Sequence, residues 1–218
     1  MEVMPMNRFF KIWIFLILLA QVGSTSAADK KSGIRIQASG LYAVSGSFID
    51  STRMCDYLDP GVSYGIGVRV RLSPHYAIDA GVDFGWMRVK KSMREDVSKE
   101  PLFLFPRINF TNLVYFNSGR VSIYSLFGLS IVPWRFTVNG FGGKSIRFED
   151  ENVQKMSIEF HGGFGIELRI YSGMSIYGEG VFHYLLCRDQ FFFGEGFTEQ
   201  GILRYGGGII LYLSRING

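Results

Sequence analysis

The chain has 218 residues, of which 47% are hydrophobic and 16% aromatic, with a formal charge of +4. This composition excludes a disordered chain, and so small a charge, read as a mildly basic surface, makes no case for a nucleic-acid partner. The length suits one large all-β domain or two small ones, and glycine, at 27, far outnumbers proline, at 6.

The chain opens on a targeting pattern. Arg8 and Lys11 precede an apolar run from Ile12 to Ala20, and Thr25-Ser26-Ala27 or Ser26-Ala27-Ala28 supplies a small-residue cleavage site. The run is too short to span a bilayer, so residues 1–27 are expected to be a secretory signal peptide and residues 28–218 the folded domain. No cysteine directly follows the run, which speaks against a lipid-anchored protein.

From there the chain alternates. Ile34, Ile36, Ala38, Gly40, Tyr42 and Val44 face one way, with Arg35, Gln37 and Ser39 between them. A polar loop from Ser45 to Gly61 leads to the clearest stretch, Val62 to Met87. There Val62, Tyr64, Ile66, Val68 and Val70 alternate with Ser63, Gly65, Gly67, Arg69 and Arg71; after Ser73-Pro74-His75, Tyr76, Ile78, Ala80, Val82, Phe84 and Trp86 alternate with Asp79, Gly81, Asp83 and Gly85. Period-two alternation is the mark of strands with one apolar and one polar face. Pairing Leu72 with Tyr76 across a three-residue turn puts Arg69 opposite Asp79, so opposite charges meet on the polar face.

A charged loop, Val89 to Pro101, follows. Leu102 to Phe116 then reads as a strand that Pro106 interrupts with a bulge or an end. Asn117-Ser118-Gly119-Arg120 is a tight turn, and Val121 to Ile131 the next strand. A long connection from Pro133 to Gln154 carries a turn at Asn139-Gly140-Phe141-Gly142-Gly143. Met156 to Ile170, Met174 to Leu186 and Gly201 to Ser214 complete eight strands, the last two joined by a loop from Cys187 to Gln200. The connections alternate long and short. The predicted fold is therefore all-β, an eight-stranded antiparallel up-and-down transmembrane β-barrel with tight turns at one end and four long loops at the other.

The rival is a soluble barrel of the lipocalin sort, with its apolar face turned inward. Three features argue for the opposite orientation. No lysine lies well inside a polar strand face, although a solvated face uses lysine freely. Charges within the strands nearly balance: Arg35, Arg69, Arg71, Arg107, Arg169 and Arg204 against Asp79, Asp83, Glu159, Glu167 and Glu179. Buried charges need such pairing, and the arginine fork suits it. The polar faces are also rich in Gly and Ser, as a lumen with room only for its own side chains requires. Tyr42, Tyr64, Trp86, Phe116, Tyr184 and Tyr205 sit on the apolar faces, several near strand ends, where an interfacial girdle belongs.

Over residues 33–214 this architecture resembles the small eight-stranded outer-membrane barrels of Gram-negative bacteria, of the OmpA membrane-domain and OmpX kind. The last strand, Arg204-Tyr205-Gly206-Gly207-Gly208-Ile209-Ile210-Leu211-Tyr212-Leu213, is similar to their C-terminal insertion signal, although Ser214-Arg215-Ile216-Asn217-Gly218 follows where the family usually stops on an aromatic residue. The resemblance implies an outer-membrane location and a monomer. It implies outer-membrane lipid, lipopolysaccharide and the barrel-assembly machinery as partners.

Chemistry is thinly signalled. His161 and His183 fall opposite each other on inward faces, with Ser157, Glu159 and Glu179 nearby, which invites comparison with lipid-A-modifying barrels. No motif surrounds either histidine and both point to the core, so interior packing is the reading taken and no catalytic residue is assigned. Cys55, Cys187 and the three histidines lack ligand spacing, and Asp50, Asp56 and Asp59 lack a calcium-loop pattern, so neither metal nor cofactor is expected. Cys55 and Cys187 both fall at the long-loop end, in loops that adjoin once the barrel closes. An oxidising compartment favours a disulfide between them, with two free thiols as the alternative. A lumen filled by charge pairs leaves no large pore, since open porins have about sixteen strands. The expected function is an integral membrane barrel with a structural or loop-recognition role. A lipid-A-modifying enzyme, and a secreted ligand-binding barrel, are the alternatives. The aromatic third loop, with Trp134, Phe136, Phe141 and Phe148, is the expected contact surface.

Overall fold

A computed structural model describes residues 31–44, 54–94, 96, 98–148, 151–152, 154–186 and 199–213. The predicted signal peptide and Cys187 lie outside the described residues. Eight long strands carry the fold: β1 (Lys31–Val44), β2 (Gly61–Ser73), β3 (Tyr76–Arg88), β4 (Leu102–Tyr115), β5 (Val121–Thr137), β6 (Gln154–Tyr171), β7 (Met174–Leu186) and β8 (Glu199–Tyr212). Each pairs antiparallel with its sequence neighbour. The first and last also pair, through Ile36 opposite Ile209 and Gln37 opposite Gly208, and so close the barrel. A one-turn helix, α1 (Met54–Tyr57), lies in the first loop.

The alternation in the sequence sets which side chains face out. Ile66, Val82, Phe110, Phe164 and Ile166 are each at least half exposed, while Arg69, Asp79, Asp83, Arg107 and Glu159 are buried. A continuous apolar wall around a closed cylinder far exceeds the patch that a soluble monomer leaves to water. The wall suits hydrocarbon, and closure gives its backbone groups partners that lipid cannot.

Registers follow the charge pattern. Arg69 stands opposite Asp79, and His161 opposite His183. Two of the three tight turns differ from the expected pairing by a register shift: Ser73, not Leu72, faces Tyr76, and Tyr171, not Ile170, faces Met174. The strands themselves keep the expected register, so the shift is absorbed in the turn.

Two proline positions also depart from expectation. β4 runs straight through Pro106 without a bulge on its β3 side, where Pro106 pairs with Phe84. β5 does not stop near Ile131 but continues through Pro133 to Thr137. The register places Pro106 and Pro133 opposite each other. On the β4–β5 side the ladder is missing between Leu104–Arg135 and Ile108–Ile131, a gap of three residue pairs. Two facing prolines remove both N–H donors of one closely paired position, and the flanking pairs depend on those same bonds. Pro60, Pro74 and Pro101 lie outside the long strands; the wall itself holds Pro106 and Pro133, stacked at one point.

Pro133→Val returns one N–H to this gap. It should stabilise the barrel by about 1 kcal/mol, read as a higher temperature for the heat-induced mobility change on a gel.

Candidate functional site

The lumen gathers most of the charged residues that the sequence singles out, and seven of the eight strands each contribute at least one. Asp79 on β3 accepts from two guanidinium groups, Arg35 Nε at 3.0 Å and Arg69 Nε at 3.0 Å. Arg69 reaches on to Glu179 Oε1 at 3.1 Å, and Arg204 donates to the other Glu179 oxygen at 3.1 Å. Arg204 also contacts Asp83 at 3.4 Å, and Arg107 joins Asp83 to Glu159, at 4.0 and 3.7 Å. Glu159 meets His183 Nδ1 at 2.6 Å. Neutral groups complete the carboxylates. Gln37 and Asn109 donate to Asp83, Tyr124 to Glu179, and Tyr115 and Tyr212 to Glu167, which lies 3.6 Å from Arg69. Arg35 also donates to Gln37.

Two predicted members behave differently. Arg71 stacks over the Tyr115 ring at 4.1 Å and donates to the Pro74 carbonyl rather than to an acid. Arg169 is only partly buried at the short-turn end and stands outside this chain of contacts. The buried set is thus five arginines (35, 69, 71, 107, 204) with five carboxylates (79, 83, 159, 167, 179). Inward glycines make the room: a Cβ at Gly67 or Gly81 would lie 3.0 or 2.9 Å from Arg35 Nη2.

Glu159, His161 and His183 bring one ligand atom each within 4.8 Å of one another, the geometry closest to a metal centre among the described residues. A divalent cation fits it poorly. Arg107 Nη1 lies 3.3 Å from His183 Nδ1, against the carboxylate a metal would need, and the surrounding charges already balance. His161 is instead hydrogen-bonded at both ring nitrogens, to Thr111 at 2.9 Å and Ser130 at 3.2 Å. The group is sealed from both solvent and lipid: His161 is 7% exposed, His183 2% and Glu159 0%. It does not present a nucleophile to a substrate.

Above the charges the lumen turns apolar, which parity reading missed. Leu41, Met87, Phe103, Phe105, Trp134, Phe136, Leu185 and Ile202 point inward and pack together, and Met54 and Leu58 of the first loop press on them from above. Met54 N donates to Gln200 Oε1 at 2.9 Å, and Lys90 Nζ to the Cys55 carbonyl at 2.8 Å, pinning α1 over the opening. The signal was present, as Phe103, Phe105, Trp134 and Phe136 share parity with Arg107 and Ser130, but the loop assigned to Pro133–Gln154 hid it. Two aromatics expected at a loop contact surface are therefore lumen residues. A third, Phe141, folds back on the outer wall against Trp86, edge-on at 4.9 Å, and Phe84 at 6.1 Å. In the second loop, hydrogen bonds from the Ser98 hydroxyl and backbone hold the Asp96 carboxyl below its ordinary range.

Cys55 is partly buried beside Asp56, with Sγ 3.9 Å from Oδ1. Its expected partner, Cys187, lies outside the described residues. Alkylation of the unfolded, unreduced protein checks the pair: the disulfide predicts no label, and two labels mean two thiols.

Removing one acid from the network exposes its worth. Asp79→Asn leaves Arg35 and Arg69 buried without their shared anion. It should cost about 3 kcal/mol, measured by urea unfolding of the barrel in detergent micelles.

No protein-family model matches the chain, and no curated protein matches it by sequence. Solved structures do match. Neisserial surface protein A (NspA) is 14% identical, covering 83% of this chain and 96% of that one, with a TM-score of 0.55. The outer membrane protein OprG from Pseudomonas aeruginosa is 9% identical, covering 86% and 97%, with a TM-score of 0.50. With its apolar wall, ionic lumen and closed ladder, this chain has the fold of the small eight-stranded outer-membrane β-barrels.

Proposed function

We propose that the chain is a monomeric integral protein of the outer membrane whose barrel is a rigid anchor for its loop end, with a structural or recognition role there and neither an open pore nor catalysis. The observation that carries this reading is a lumen occupied along its length. Charge pairs fill the middle, Leu113, Tyr115, Tyr124 and Leu126 the short-turn end, and an apolar plug capped by α1 the loop end. Among the charge pairs of the described residues lies an internal void of about 20 Å³, room for roughly one water, bordered by Arg69, Asp79, His161 and Arg204. NspA is named a surface protein and OprG an outer membrane protein, which supports the location. Burial of His161 and His183 weighs against the lipid-A-modifying alternative.

Planar-bilayer recording tests the filled lumen. The expected trace has no steady conductance, and large stable steps would refute the packing. Fractionation with a boiled-against-unboiled gel tests the location. The folded protein should sediment with outer membranes and shift in mobility only on boiling, whereas recovery in the soluble fraction would restore the lipocalin-like reading.

A further inference from the structure

The short-turn mouth of the barrel carries charge of one sign. β1 opens on Lys31, which the register sets directly opposite Arg71 of β2. Elsewhere on the rim the Arg169 N–H donates to the Arg120 carbonyl at 2.8 Å, and with Val121 facing Leu168 this sets Arg120 opposite Arg169. The β1–β2 and β5–β6 seams lie four strands apart in a ring of eight, so the two pairs face each other across the mouth. All four residues share the parity of buried lumen groups: Lys31 that of Arg35, Arg71 that of Arg69, Arg120 that of Ser122, and Arg169 that of Glu167. Arg120 is exposed, Lys31 and Arg169 are half-buried, and Arg71 lies buried over the Tyr115 ring, so cations run from the rim to the floor. Like charges directly opposite in a sheet repel. One pleat deeper the same hairpin sets Arg69 against Asp79 instead. No carboxylate among the described residues pairs with these four cations. The acids next along the strands are taken, Glu167 by Tyr115, Tyr212 and Arg69, and Asp79 by Arg35 and Arg69. The three tight turns hold no acid, whereas the loop end mixes exposed Asp56, Asp96 and Glu100 with its lysines.

We propose that this mouth binds an extended acidic peptide, laid across the ring so that its carboxylates meet Lys31 and Arg71 on one side and Arg120 and Arg169 on the other. Alternate side chains of an extended peptide share a face and repeat about every 7 Å, which spreads charge over the opening as one small anion cannot. The guanidinium groups hold carboxylates through charge-assisted hydrogen bonds. A lipid headgroup beside the barrel meets other residues, because the outward side chains at this level are Val70, Leu72, Val121, Leu168 and Ile170, all apolar. A folded acidic surface is too broad for a lumen with room for little more than side chains. The compartment alone rests on the outer-membrane reading above, in which the short-turn end opens to the periplasm.

The test uses the barrel purified from outer membranes of a host making the full chain, held in zwitterionic micelles. The probe is a fluorescein-labelled peptide of alternating glutamate and glycine, read by anisotropy. It should bind one to one and weaken as salt rises. The Arg120→Gln, Arg169→Gln double variant should bind about tenfold more weakly, and Lys31→Gln, across the mouth, about threefold. Both changes relieve repulsion, so neither should lower the temperature of the heat-induced mobility change. Lys91→Gln with Lys99→Gln, at the loop end, should bind as the unaltered protein does. Equal affinity of the Arg120, Arg169 variant would overturn the proposal. Displacement by inorganic phosphate at equal charge, or by phosphatidylglycerol in the micelle, would overturn it too, by putting a small anion or a lipid headgroup in the site. The unaltered protein gives a second measurement. Carbodiimide treatment should join a glutamate carboxyl of the bound peptide to the Lys31 ammonium as an amide, and coupling spread evenly over Lys91 and Lys99 would count against the mouth. Gel mobility and fractionation of the same samples keep the two readings apart, because a barrel that is folded and outer-membrane-bound but leaves the peptide free sinks this inference alone.

Discussion

A backbone in lipid has nothing outside itself to bond to, and closure of β1 against β8 answers that constraint for the whole wall. With the edge gone, every strand is forced to show one face to hydrocarbon and the other to a lumen too narrow for bulk water. The rest follows from that partition. Side chains of one parity must be apolar, and those of the other must either match charges or fill space.

The chain does both, at different heights. In the middle, single groups serve several partners: Asp79 holds two arginines, Arg69 reaches three acids, and Asp83 accepts from Gln37, Asn109 and Arg204 with Arg107 4.0 Å away. Sharing of this kind suits a space where each unmatched charge costs several kcal/mol, because no ion depends on one contact alone. It also ties non-neighbouring strands across the lumen, which the ladder cannot do. Nearer the loops the same cylinder is sealed by aromatics and the Met54–Leu58 segment. An ionic middle beneath an oily cap fills the lumen at two levels, so the proposed lack of an open pore rests on both and not on the charge pairs alone.

How much of this was readable depends on the range of the rule. Parity is a local rule: it puts Ile66 outside and Arg69 inside without knowledge of any other strand, and one hairpin turn adds Arg69 across from Asp79. The balance of arginine and acid pointed to a sealed lumen. What parity could not carry was anything set by non-neighbours. Tyr115 and Tyr212 look like ordinary strand aromatics until both hydroxyls are seen to converge on Glu167. Arg71 counted as one more ion-pair donor until Tyr115 took its face. Pro133 misled for a clearer reason. Proline ends most interior strands, so the sequence alone puts Trp134 and Phe136 in a loop and hides the apolar plug with them.

That misreading bears on how the wall is built. A proline is tolerated in a barrel wall where its missing donor faces a neighbour that can do without it. Pro106 leaves the ladder to β3 continuous because its missing N–H points the other way, toward β5, and there it meets a second proline. One exchange to valine on either strand would return a donor, and the rest of this wall is built from residues that have one. The gap falls where the wall passes from the row of Ile108, Ile131 and Ile158 to the row of Leu104, Arg135 and Gln154, so the ladder is interrupted close to the loop-end boundary and stays continuous deeper in the wall, where an unpaired carbonyl would cost most.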